Sequence, residues 1–136
     1  MSHVLRVAIV DPHDAGREEL KRLLLGLDSI WLEAECSRYE FFADVVAQTN
    51  PEIGIVALDF DQEKALDLVS KVTQQSPDCA IFVVSSSHDG TVILKAMRAG
   101  AKEFLPQPVR IDDLLAAIER LTERRFGRGD HKARGS

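Results

Sequence analysis

Residues 53–61 read Ile53-Gly54-Ile55-Val56-Ala57-Leu58-Asp59-Phe60-Asp61, an unbroken apolar run that ends on a carboxylate. Side chains of a strand alternate between its two faces, so a run that is apolar at every position marks a strand covered on both sides. That is the condition of a parallel sheet sandwiched between helices. Leu5 to Val10 ahead of Asp11, and Ala80 to Ser85 ahead of Ser86, have the same character. These three runs are read as β-strands, Ile53 to Leu58 being the third in the chain.

Outward from this core, helical period alternates with strands. Asp14 to Leu27 places Leu20, Leu23, Leu24 and Leu27 on one helix face, and Ile30 to Cys36 is a second strand. A helix near Arg38 to Gln48 aligns Phe42, Val45 and Val46, and another spans about Gln62 to Gln75. The fourth strand leads to a helix from about Asp89 to Ala99, stopped by Gly100 in a position that favours a left-handed cap. Ala101 to Leu105 is a fifth strand. The last helix, near Asp112 to Glu123, directs Leu114, Leu115, Ile118 and Leu121 inward, with Asp112 and Asp113 at the positive end of its dipole. Five β-α units with right-handed crossovers make an α/β, doubly wound five-stranded parallel sheet flanked by five helices, in the flavodoxin-like order 2-1-3-4-5. Its functional crevice lies at the carboxyl ends of the central strands.

The chain has 136 residues, 45% of them hydrophobic and 29% charged, which suits one soluble domain with its own core. Residues 1–123 are assigned to that domain, and residues 124–136 to a basic flexible linker or tail. The domain carries 12 basic against 21 acidic side chains, and an acidic body lacks the cationic surface that binds nucleic acid. Cys36 and Cys79, 43 residues apart, suggest neither a disulfide nor a zinc site. No run approaches a membrane span and no secretion signal opens the chain, so the cytoplasm is the expected compartment. The triplet Arg128-Gly129-Asp130 matches an adhesion motif, and in an acidic, cytoplasmic protein it is read as chance.

The strand ends carry Asp11-Pro12-His13-Asp14, Asp59-Phe60-Asp61, Ser85-Ser86-Ser87 and Gln107-Pro108. Taken singly, each is an ordinary turn or helix-cap residue. Taken in order, over residues 5–123, they resemble the receiver domain of response regulators. That resemblance implies a phosphoacceptor at Asp59, modified by a histidine kinase, and a hydroxyl donor to the phosphoryl group at Ser85. It also implies Mg²⁺ held by acids at the end of the first strand, a lysine at the end of the fifth, and a switch aromatic at Phe104. The chain keeps Asp11 and Asp59 as metal ligands. Pro12 replaces the second acid and Gln107 the lysine, leaving Gln107 as a weaker phosphate contact and Mg²⁺ binding depleted.

Two replacements among five positions favour an atypical receiver that acts in signalling or protein localisation as an interaction module, and not as an enzyme. The alternative is a working receiver phosphorylated on Asp59. The stretches Val10-Asp11-Pro12, Ala96 to Ala101 and Phe104 to Pro108 are similar to atypical receivers that precede a MinD/ParA-like ATPase in pilus-assembly localisation proteins. This similarity implies a missing downstream effector domain. Receivers pair through the face between the fourth and fifth helices, so a homodimer is expected there, with Ala96, Arg98, Lys102 and Glu103 near the contact. Reading Asp59-Phe60-Asp61 as the Asp-X-Asp of a haloacid-dehalogenase-like phosphatase would need that motif on the first strand, and it ends the third. The first β-α turn, Asp11 to Gly16, has one glycine where close phosphate approach needs several, which also speaks against nucleotide binding.

Overall fold

The computed structural model describes residues 4–127, including side chains up to residue 125. Five strands, β1 (Leu5–Val10), β2 (Ile30–Cys36), β3 (Ile53–Ala57), β4 (Ala80–Ser85) and β5 (Glu103–Pro106), form one parallel sheet in the order β2-β1-β3-β4-β5. Between them run α1 (Asp14–Leu25), α2 (Tyr39–Thr49), α3 (Gln62–Gln75) and α4 (Gly90–Ala99), and α5 (Ile111–Thr122) follows β5. The doubly wound order expected from the sequence is the one observed. Among the described residues no helix is long and apolar enough to cross a membrane, and both cysteines are free and buried.

The period-two alternation sorts each central strand into two cores. Ala8, Val10, Val56, Ile81 and Val83 face α2, α3 and α4. Val7, Ile9, Ile55, Phe82 and Val84 face α1 and α5. With all of β3 and β4 buried, the sheet interior has no room for a polar group without a partner, and chemistry is confined to the strand ends.

Several boundaries depart from the sequence reading for local reasons. Helix α1 stops at Leu25, and Leu27 packs against the core from the turn that follows. Strand β5 begins at Glu103 because the Ala101 amide still donates to Ala96 O and closes α4. Leu115 does not point inward: it is 41% exposed on the outer side of α5, while Ala117 takes the buried position. Residues Glu123–Gly127 form one π-helical turn, in which Arg124 pairs with Glu103 and Arg125 donates to Asp78 O. The remainder of the expected tail, 128–136, with its Arg-Gly-Asp triplet, lies outside the described residues. Strand β2 carries a bulge at Glu33, where the register to β1 slips between Val7 and Ala8; Arg6 donates to Glu33 and to the carbonyls of Thr49 and Asn50 that end α2.

Gly100 ends α4 at φ +120°, and a Cβ there would lie 2.5 Å from Thr73 Cγ2 on α3. Both the backbone conformation and the α3 contact require glycine. Gly100→Ala is therefore expected to cost about 2–3 kcal/mol in urea unfolding; a loss under about 0.5 kcal/mol would show that α4 and α3 are not tied at this point.

Candidate functional site

The four strand ends converge as the sequence implied, and each side chain there has a definite partner. Asp11, directly after β1, is 3% exposed. Its Oδ1 accepts the His13 amide at 2.9 Å, and its backbone oxygen accepts Arg17 Nη1 at 2.9 Å. Its Oδ2 lies against the first turn of α1, since a Cβ on Gly16 would come within 2.5 Å of it. Burial raises the Asp11 carboxyl above its ordinary range; the His13 amide and the nearby His13 and Arg17 charges oppose this, and the Asp59 charge adds to it.

Asp59, just beyond β3, is solvent-exposed and turns its carboxylate toward the end of β4. Ser85 Oγ donates to Oδ1 at 2.7 Å, and Ser86 Oγ donates to Oδ2 at 2.7 Å. The Ser86 amide is shared, 3.0 Å from Oδ2 and 3.3 Å from Oδ1. Burial pushes the Asp59 carboxyl up, but the donors from Ser85 and Ser86, with the His13 charge, outweigh it and hold the group below its usual value. Asp59 is thus an exposed, ionised carboxylate whose two oxygens are both hydrogen-bonded.

The aromatic residues form one wall. Tyr39 OH donates to Ala57 O at 2.5 Å beneath Asp59, and burial pushes its phenol up to about 12. The Phe60 ring stands edge-on to His13 at 5.2 Å and to Tyr39 at 6.4 Å. Phe104, on β5, is half-buried and packs against the core under α2, α3 and α4.

Other expectations are revised. The Gln107 amide donates to Ser85 O at 2.9 Å, so the backbone of β5 reaches the site, and the Gln107–Pro108 bond is cis. The Gln107 side chain, however, makes no hydrogen bond to Asp59; it borders a small cleft with Gly16, Leu20 and Val109. Asp14 does not cap α1, which starts from His13, and pairs instead with Arg17 at 2.8 Å. Asp61 caps α3 by accepting the Lys64 amide at 3.1 Å. On the α4 to α5 face, Ala96 is completely buried and cannot meet a partner, because it is the residue that packs α4 onto the core. Glu103 is engaged by Arg120 at 2.7 Å and Arg124 at 3.6 Å. The exposed members of that face are Leu94, Met97, Ile111 and Leu115.

Sequence reasoning gave Ser86 and Gly16 no part in the site and did not single out Arg17. Only Gly16 carried a signal, as a glycine in the first turn of a helix, where its cost calls for a close neighbour. Among the described residues no three acidic, histidine or cysteine side chains converge as a cation cage. Asp11 and Asp59 are the two carboxylates that would hold Mg²⁺ here, and Pro12 offers no side-chain ligand, so water and phosphoryl oxygens would have to complete the coordination.

Comparison with known proteins agrees with the architecture. The model of the response regulator receiver domain matches residues 7–119. The transcriptional regulatory protein DegU of Brevibacillus brevis is 22% identical over 115 residues, covering 85% of this chain and 49% of that protein. The signal receiver domain of NarL from Mycobacterium tuberculosis superposes with a TM-score of 0.80 at 16% identity, over 89% of this chain and 98% of that one. A pilus assembly protein (cpaE) from Burkholderia thailandensis does so with a TM-score of 0.73 at 20% identity, over 86% and 97%. The chain spans about half or less of the length of the curated relatives DegU, the cyclic di-GMP phosphodiesterase of Thermotoga maritima and YhcZ of Bacillus subtilis. With the family model covering most of its length and the strand order that such domains share, this chain belongs to the response regulator receiver domain family.

Proposed function

We propose that this receiver serves as a protein-interaction module whose association does not depend on phosphoryl transfer. The observation that carries this reading is the engagement of Asp59: both oxygens are held by Ser85 and Ser86, while Pro12 stands in place of an acid beside Asp11 and Gln107 in place of a lysine. A divalent ion would be held weakly at most, and no step of this reading runs through one. The likeness of fold to a pilus assembly protein, together with the resemblance of the strand-end motifs, supports a place in protein localisation.

The surface for such a role is the outer face of α4 and α5. Leu94 and Met97 on α4, and Ile111 and Leu115 on α5, are 41–48% exposed, and Arg98 and Lys102 stand exposed near them. These large apolar side chains, exposed on the two helices that flank the edge strand β5, are the candidates for a contact surface. A second copy of the chain, packing the same face isologously, would cover it.

A working phosphoacceptor is the second reading, favoured by one observation. Asp59 is exposed and ionised, beside a buried hydroxyl donor in Ser85, which is how a nucleophilic carboxylate is presented. It differs from the first reading in requiring that Asp59 alter association.

Sedimentation velocity decides between them. The wild-type chain and Asp59→Asn are expected to dimerise equally, and Leu115→Glu to be monomeric with an unchanged circular dichroism spectrum. Dimerisation that appears only when phosphodonor is added, and is absent from Asp59→Asn, would establish the second reading.

Retention of a buried, raised Asp11 has its own consequence. A carboxyl whose folded pKa lies above its unfolded value costs stability once pH exceeds the folded pKa, and the cost fades as pH falls below it. Asp11→Asn keeps an acceptor for the His13 amide and removes the charge. It should raise the urea midpoint at pH 7, with the gain shrinking toward pH 3; a lowered midpoint at pH 7 would mean that the Asp11 charge is needed for folding.

A further inference from the structure

Asp59 is held by three donors, and two of them belong to one residue. A carboxylate presents about four lone-pair sites, and the Ser85 hydroxyl, the Ser86 amide and the Ser86 hydroxyl make four contacts with them. Ser85 is fully buried, and its oxygen accepts the Ser87 amide at 3.1 Å, which turns its proton toward Asp59. Ser86 is exposed, with water available as an alternative partner. Its hydroxyl faces Oδ2, the oxygen that Ser85 does not reach.

The chain of bonds continues past the site. Ser87 Oγ accepts the Asp89 amide at 3.2 Å, and Asp89 Oδ1 accepts the Thr91 amide at 2.9 Å, capping α4. The stretch from Asp59 to the first turn of α4 is therefore one run of short polar links, and Ser86 is the member that faces solvent.

We propose that Ser86 is a hydroxyl latch on Asp59: it occupies Oδ2, controls whether that oxygen is free to react, and holds the β4 to α4 loop against the end of β3. Ser86 is thus a positioning residue, acting through Asp59. This rests on the reading that the engaged carboxylate is what sets this receiver apart, and it assigns the engagement to one replaceable side chain. Substituting Ser86 by alanine removes the hydroxyl but leaves the backbone amide, so the loop keeps one tie to the carboxylate and the fold is retained.

The test is modification of Asp59 by a water-soluble carbodiimide with glycine ethyl ester, read by peptide mass. In this chemistry a carboxyl oxygen adds to the carbodiimide carbon, the amine then attacks the acyl carbon, and a urea departs with the oxygen, leaving an amide. Asp14 and Glu18, exposed on α1, are internal controls. Ser86→Ala is expected to raise the Asp59 labelling rate about fivefold relative to the controls, the factor that one net hydrogen bond represents. Ser86→Thr, which keeps the hydroxyl, should label at the wild-type rate, and amide exchange in the first turn of α4 should quicken in Ser86→Ala alone. Equal labelling of wild type and Ser86→Ala would overturn the latch, as would faster labelling in Ser86→Thr matching that of Ser86→Ala. Because the reaction needs no phosphodonor, its failure is distinct from a finding that Asp59 is a working phosphoacceptor.

Discussion

Burial of β1, β3 and β4 on both faces is the constraint from which the rest of this molecule follows. A strand with no solvent-facing side admits polar groups only where it leaves the sheet, so Asp11, Asp59 and Ser85 come together at one edge of the core. The same burial makes their partners obligatory. Asp11 is covered by α1 and takes the His13 amide; Ser85 is fully enclosed and gives its proton to Asp59. What stands at the strand ends is a small polar network supported by the sheet, and two positions that would bring charge into it carry Pro12 and Gln107 instead.

Those two replacements change what the network does. With neither a second acid nor a lysine present, Asp59 satisfies its oxygens from the hydroxyls and amide of the β4 to α4 loop. The donors that remain are neutral, but their acceptor is an ionised carboxylate, so the bonds are still charge-assisted, and together they complete the carboxylate. A site arranged in this way ties the end of β3 to the end of β4 and to the loop that leads into α4.

The fold was legible because its signal is periodic. Continuous apolar runs named the strands of a covered sheet, and helical stripes such as Leu20 and Leu24 named the faces that cover it. The converging residues Asp11, Asp59 and Ser85 could be read from their places at strand ends. Details set by three-dimensional fit could not. Ala96 and Leu115 exchange the roles that their residue types suggest, because a small residue is what permits α4 to lie close to the core, while an apolar stripe wider than the buried face leaves Leu115 outside. The β2 bulge at Glu33 follows from register with β1, and the Ser86 hydroxyl bond from a loop conformation that Ser85-Ser86-Ser87 does not announce.

We propose that Asp59 is retained as a structural carboxylate, held by Ser85 and Ser86, and not as a phosphoacceptor. The most direct test is intact mass of this chain after incubation with Mg²⁺ and a small-molecule phosphodonor, beside a complete receiver treated identically. With Asp59 in a structural role, the complete receiver gains the mass of a phosphoryl group and this chain does not; a matching gain here, absent from Asp59→Asn, would show that Asp59 is a phosphoacceptor.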